Sequence, residues 1–286
     1  PTMDMVPKKV LESYAQSDAG WTLALWYKLR PMLPPELERL YTIEMTLMPI
    51  LSAMEMRGIR IDVDATRELQ ARFEHEVGIL ATTLECYGLT NPRSTMQKAK
   101  LLGAQLRALD PAKMTKGGKI SVGRKQLERL TRTTLVTALL EYAEKEKLRQ
   151  FCKELLRFQE NGIIHTNYNQ VVTETGRLSS SKPNLQNIPV RTEQGKLLRK
   201  LFIPRPGCVF VSADMSQIEL RILADYSRDP TMLRAYAEGR NLHLETMFTL
   251  WPELRNLEKP EEHILYKASK NTNFCKVYGG GPAKIA

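Results

Sequence analysis

An α+β fold, mostly helical, follows from three features of the chain. Stretches before Gly162 and after Pro230 repeat apolar residues at helical spacing, residues 165–172 alternate loosely ahead of a Ser-, Asn- and Pro-rich run over 179–189, and Val209, Phe210 and Val211 form a short apolar run ending in Ser212, Ala213 and Asp214.

Taken in order, Trp21, Leu25, Trp26 and Leu29 predict a helix over 18–29 that stops before Pro31, Pro34 and Pro35. From Glu36 to Met56, Leu37, Leu40, Ile43, Leu47, Ile50, Leu51 and Met54 lie on one stripe and predict a buried helix ending at Gly58. Asp64 is placed to cap a third helix, from about Ala65 to Tyr87, that buries Leu69, Phe73, Val77, Leu80 and Leu84. Eleven basic residues between Asn91 and Arg132 face only Asp110 and Glu128, so most of the net charge sits there. Gly117 and Gly118 inside that run predict a flexible tip able to approach phosphates, with a merely solvated basic loop as the alternative. A long helix is expected from Leu135 to about Phe158 through Leu139, Leu140, Leu148 and Leu155. Beyond the texture change, the strand at 209–211 puts Asp214 at a strand end, and a helix is expected from Ile218 to Tyr226. From Pro230 the chain returns to helix, broken at Gly239 and Pro252, with a last amphipathic stretch from Glu261 to Val277.

The composition narrows the function classes. The length, 286 residues, suits one large or two ordinary domains, and 42 basic against 32 acidic residues give a formal charge of +10, which favours polyanionic partners. No apolar run approaches the roughly 20 residues of a spanning helix, so no membrane partner is expected. Cys86, Cys152, Cys208 and Cys275 are far apart and lack zinc-ligand spacing, which predicts free thiols in a reducing, intracellular compartment. Asp214 alone admits two readings, a divalent-metal ligand at a strand end or the N-cap of the helix that follows.

Motifs extend this reading. The segment Asp214-Met-Ser-Gln-Ile-Glu-Leu-Arg221 resembles, with one difference in eight positions, the first palm motif of family A DNA polymerases, the polymerase-I-like enzymes. Residues 175–191, Thr-Gly-Arg-Leu-Ser-Ser-Ser-Lys-Pro-Asn-Leu-Gln-Asn-Ile-Pro-Val-Arg, resemble the family's primer-template segment, and Lys270 to Gly279 resembles its fingers helix, Lys-x-x-Asn-Phe-x-x-x-Tyr-Gly. Tyr14 and Asp18 resemble the last motif of the family's proofreading exonuclease.

The resemblance implies a right-hand architecture with helical thumb, antiparallel palm sheet and helical fingers: an exonuclease tail over 1–35, a palm entry helix over 36–60, thumb over 61–160, palm over 161–228 and fingers over 229–286. It implies DNA-templated addition of deoxynucleotides to a primer 3′-hydroxyl in replication or repair, by two-metal phosphoryl transfer with Mg²⁺, or Mn²⁺ in its place. Asp214 and Lys270 would be catalytic, with Asp214 and the backbone carbonyl of Met215 as metal ligands. Met215, Gln217, Glu219, His243, Lys270, Phe274 and Tyr278 would bind the nucleotide, Glu219 lying under the sugar and accepting a hydrogen bond from Tyr278. Arg177, Asn184, Gln186, Asn187 and Arg191 would meet primer-template DNA, and Lys113, Lys116 and Lys119 would grip the duplex from the thumb tip; a processivity factor is not identified by any motif. Lys270, Phe274 and Tyr278 recur at i+4 and share one helix face, an ammonium followed by two rings. Where the family carries an arginine that contacts the triphosphate, this chain has Tyr266. The family's second carboxylate motif has no counterpart here, and a lone Asp18 lacks the acidic partners of an exonuclease, so the chain is expected to be part of a larger polymerase. A single-subunit RNA polymerase, disfavoured by Glu219, and a non-catalytic DNA-binding derivative are the alternatives.

Overall fold

A computed structural model describes residues 5–109, 114–115, 117–189 and 192–281, so that Lys113, Lys116 and Arg191 lie outside the described residues. The chain divides into two compact units, Pro1–Val209 and Phe210–Ala286.

In the first unit the main packing is between two long helices, α3 (Val63–Glu85) and α6 (Thr134–Phe158). Both are amphipathic at helical spacing, and their facing sides bury Phe73, Leu84, Leu139, Leu148, Phe151 and Leu155. Each such side chain contributes about 1.5–3 kcal/mol of burial. The predicted cap is corrected by two residues: Asp62, not Asp64, accepts the Ala65 N–H at 2.9 Å, because Asp62 has the extended conformation an N-cap needs and Asp64 is already in the helix. Thr133 caps α6 in the same way.

A small antiparallel sheet lies beside one end of this pair. β1 (Ile59–Ile61) takes a central place, between β3 (Ile163–Ile164), which pairs in turn with β2 (Gln159–Glu160), and β6 (Phe202–Ile203). Gly58 makes the pairing possible: its φ is +60°, and an added Cβ would lie 2.6 Å from the Ile163 side chain and 2.7 Å from the Ile164 carbonyl. A separate pair joins β4 (Asn167–Asn169) to β5 (Ser179–Ser181).

Two helices precede the sheet: α1 (Lys8–Leu29), longer than expected and with no buried residue, and α2 (Glu38–Arg57). The expectation of a buried α2 fails. Only Leu51 is buried, while Leu40, Ile43 and Ile50 are about half exposed, since none of the apolar clusters among the described residues takes in this helix's stripe. Gln170 donates to the Glu44 carbonyl at 3.0 Å and Tyr168 N–H to the Glu55 carboxylate at 2.5 Å.

The basic segment carries helices on both sides of its tip. It contains α4 (Thr95–Arg107), capped by Ser94, and α5 (Arg124–Leu127). At its tip Met114 bridges Ile120, and the Thr115 N–H donates to the Lys119 carbonyl at 2.7 Å. Leu102, Leu106, Ile120, Val122 and Leu127 anchor the segment on the α3–α6 pair. A short α7 (Glu193–Lys200) precedes β6.

The second unit is helical: α8 (Ile218–Ser227), α9 (Pro230–Ala237), α10 (Leu242–Leu250) and α11 (Ile264–Val277). Leu220, Ala235 and Leu242 form its centre, with Met232, Tyr236 and Val277 packed against them. The strand expected at 209–211 is absent. Val209 and Val211 are more than three-quarters exposed, because among the described residues no strand offers this run its ladder hydrogen bonds. Asp214 therefore stands in irregular chain, not at a strand end. Among the described residues no helix is long and apolar enough to cross a membrane.

Candidate functional site

The second unit carries a cleft of about 400 Å³ lined by residues 214–219 together with Asn241, His243, Tyr266, Lys270 and Phe274. One wall is the turn before α8. Gln217 takes a left-handed conformation, φ 54°, and the turn is held from behind by Arg221, whose Nε donates to the Ser216 carbonyl at 2.9 Å. The Arg221 guanidinium lies 4.4 Å from the Tyr236 ring centroid, and the Tyr236 hydroxyl donates to Gln217 Oε1 at 3.4 Å. With the turn pinned on that side, the Asp214 and Met215 side chains are exposed. Asp214 caps no helix: Gln217 occupies the N-cap of α8 and makes no side-chain cap bond.

The other wall is α11, where Tyr266, Lys270 and Phe274 follow one another at one-turn intervals and Tyr278 continues the row at the helix end. Tyr278 donates its hydroxyl proton to Glu219 Oε2 at 3.0 Å, so the expected pair forms across the mouth between α8 and α11. Lys270 Nζ sits 4.9 Å from the Tyr266 ring centroid. The structure thus brings Asp214, Met215, Gln217, Glu219, His243, Lys270 and Phe274 to one cleft, with Tyr278 at its edge.

His243 holds this wall together. At 1% exposure it packs against Phe274, with ring centroids 5.5 Å apart, and edge-on against Tyr266 at 6.1 Å. Its backbone carbonyl accepts the buried Ser269 hydroxyl at 2.8 Å, tying α10 to α11. The Asn273 amide nitrogen lies 3.0 Å from His243 Nδ1 and 3.5 Å from the Leu242 carbonyl, while its oxygen lies 3.0 Å from the Thr246 hydroxyl. The carbonyl fixes the amide's orientation, since it can only accept; Nδ1 is then also an acceptor, and the ring proton resides on Nε2. Burial, with a smaller contribution from the Lys270 charge, pushes the imidazole pKa down from 6.5 to about 4, so the ring is neutral at physiological pH.

The first unit holds the other group of expected residues. Ser180, buried, accepts the N–H groups of Leu185 and Gln186 at 3.0 and 3.2 Å and so shapes the 180–187 loop. Asn184 and Asn187 line an open cleft of about 560 Å³ with Arg93, Lys147 and Gln150. Gln186, Arg177 and Lys119 are exposed outside it. Asn241, Ser269, Tyr236 and Ser180 carried no expectation. Only Asn241 had a legible signal, an Asn immediately before an apolar helical run, and it does cap α10.

Comparison with known proteins fixes the family. The model of DNA polymerase family A matches residues 63–286. The chain belongs to DNA polymerase family A. It is 36% identical to DNA polymerase I of Chloroflexus aurantiacus over 96% of this chain and 30% of that protein, and 37% identical to the thermostable DNA polymerase I of Thermus aquaticus over 83% of this chain and 29% of that protein. Among solved structures it is similar to the POL domain of Pol1 from M. smegmatis in complex with DNA primer-template and dNTP, with 30% identity, a TM-score of 0.72, and coverage of 85% of this chain and 43% of that one. The chain spans about 30% of the length of the curated family A relatives it matches.

Proposed function

We propose that this chain is the part of a DNA-templated DNA polymerase that holds primer-template DNA and the incoming deoxynucleoside triphosphate for addition to a primer 3′-hydroxyl. The observation that carries the reading is the row on α11, Lys270, Phe274 and Tyr278, facing Asp214 across one cleft with Tyr278 bonded to Glu219 at 3.0 Å. In this reading 61–160 is the thumb, 161–228 the palm and 229–286 the fingers, preceded by an exonuclease tail over 1–35 and a palm entry helix over 36–60.

Each side chain has a task set by its chemistry. Lys270 supplies the charge that a polyphosphate calls for, while Phe274 offers a flat apolar surface to sugar and base. Glu219, fixed by Tyr278, occupies the place of a ribose 2′-hydroxyl, so a ribonucleotide must break that bond or displace the carboxylate. His243 presents a neutral Nε2–H donor at the wall, and Gln217 lines the same turn. Arg177, Asn184, Gln186, Asn187 and Arg191, with the basic segment around Lys113, Lys116 and Lys119, suit minor-groove acceptors and phosphates common to every sequence.

The donors at Asp214 suit a divalent ion. An exposed carboxylate beside a backbone carbonyl offers two hard oxygens, and among the described residues no three His, Cys, Asp or Glu form a ready-made cage. That set fits Mg²⁺, or Mn²⁺, completed by water and substrate phosphates. Asp214 and the Met215 carbonyl would hold it, and when bound it supplies neutralisation of charge at the reacting phosphate.

Primer extension by the protein that contains this chain, with Mg²⁺ and four deoxynucleotides, tests the reading. Template-dependent extension that Asp214→Ala abolishes is expected. A folded, DNA-binding protein that extends nothing, or an Asp214→Ala variant of undiminished rate, overturns it.

A further inference from the structure

We propose that Tyr266 is a phosphate-binding residue: its hydroxyl donates to an oxygen of the nucleotide's polyphosphate tail while its ring holds the Lys270 ammonium toward the same anion. The inference rests on the nucleotide reading of the cleft and concerns the position where the family's arginine is missing.

Charge at the cleft is the first consideration. Among its described lining residues Lys270 is the only lysine or arginine, and Asp214 and Glu219 are anionic. A triphosphate entering beside a single cation needs further donors, and neutral ones add no repulsion toward that lysine. Tyr266 lies one turn before Lys270 on α11, lines the same cleft and is half-buried.

Hydrogen bonding supplies the second consideration. Asn241 Oδ1 accepts the His243 N–H at 2.9 Å, which turns the amide's nitrogen toward Tyr266, and that nitrogen donates to the Tyr266 hydroxyl oxygen at 3.0 Å. The phenol is therefore an acceptor toward Asn241. Its own proton has no acceptor among the described residues and remains to be donated. A phenol that accepts one hydrogen bond while donating another is strengthened as a donor.

The ring is fixed as well. Its edge-on contact with His243, at 6.1 Å, and the Lys270 ammonium 4.9 Å from its centroid hold it from two sides. Cation–π attraction at that distance restricts where the long lysine side chain points without neutralising it. One residue thus replaces a second cation by a neutral donor and an aromatic platform.

Equilibrium titration of the protein that contains this chain with Mg-dCTP and, separately, with deoxycytidine tests this. Tyr266→Phe keeps the ring and removes the donor; it should weaken dCTP about tenfold, as expected for a hydrogen bond to a charged acceptor, and leave deoxycytidine unchanged. Tyr266→Arg restores donors and should bind dCTP at least as tightly as the wild type. Tyr266→Phe binding dCTP within twofold of wild type, or Tyr266→Arg binding no better than Tyr266→Phe, overturns the role of the tyrosine while leaving the cleft a nucleotide site. Failure of the wild-type protein to bind dCTP at all refutes the nucleotide reading, and this inference falls with it.

Discussion

Acidification should loosen the second unit through one buried ring. His243 is 1% exposed and its pKa is lowered from 6.5 to about 4, mainly by burial and secondarily by Lys270. Unfolding returns the ring to water, where it takes up a proton below about pH 6.5. The folded state therefore keeps its full stability above that pH and loses it as the pH falls toward 4. At about 1.4 kcal/mol per unit, the loss reaches roughly 2 kcal/mol at pH 5 and about 3 kcal/mol below pH 4. Urea unfolding followed by Trp251 fluorescence, with Trp21 and Trp26 changed to Phe, reports on this unit at each pH. The matched His243→Asn variant places an oxygen near the Nδ1 position for the Asn273 amide and carries no titrating ring. Wild type should lose about 2 kcal/mol more than His243→Asn between pH 7.5 and 5. Parallel pH profiles, or an imidazole NMR titration with a midpoint near 6.5, would show that the ring is solvated and that the packing described around Phe274 and Tyr266 is wrong.

Three further outcomes are expected. Glu219→Ala in the protein containing this chain should raise the ratio of ribonucleotide to deoxynucleotide kcat/KM by at least about tenfold, since the group that the proposed reading sets against a 2′-hydroxyl is gone; single-nucleotide insertion kinetics measure it, and an unchanged ratio removes Glu219 from sugar selection. Phe274→Tyr should raise dideoxynucleotide incorporation by a similar factor, read by chain termination on a primed template, and equal incorporation by the two proteins contradicts the placement of Phe274 at the sugar. Gly58→Ala should cost at least about 2 kcal/mol in urea unfolding of the first unit, because a Cβ there meets Ile163 and the Ile164 carbonyl at a positive φ; a smaller loss means the β1–β3 register is looser than described.

The elements legible in the sequence are those whose partner is built from equally periodic chain. α3 and α6 each carry an apolar stripe, and each stripe is buried by the other, so spacing alone gave both helices to within two residues. α2 carries as good a stripe, yet its exposure shows that periodicity establishes a helix and not its burial. The run at 209–211 fails for a related reason: a strand exists through its neighbours, and apolar β-branched and aromatic residues propose one without supplying any. In the basic segment the charges dominate the pattern, and the apolar Leu102, Leu106, Ile120 and Val122 among them, which the structure buries, carried no expectation.

The site divides along the same line. Lys270, Phe274 and Tyr278 share a face because 3.6 residues complete a turn, and that is legible in any helix. The contact of Tyr278 with Glu219, 59 positions away, came from family resemblance and not from spacing. Asn241, Ser269 and Asn273 act across 25 to 30 positions on Tyr266 and His243; local pattern marks Asn241 only as a helix cap and Asn273 only as a member of the fingers motif, and names no partner for any of the three. These contacts decide the chemistry of the residues that the motif names: Asn273 sets which His243 nitrogen carries the proton, and Asn241 sets which way the Tyr266 hydroxyl can donate. A motif thus identifies the groups in a cleft, and the donors and acceptors behind them determine what each group offers a substrate. Tyr266 makes the point sharply, because judged by residue type it is only a missing arginine, whereas judged by its neighbours it is an oriented donor beside an oriented ammonium.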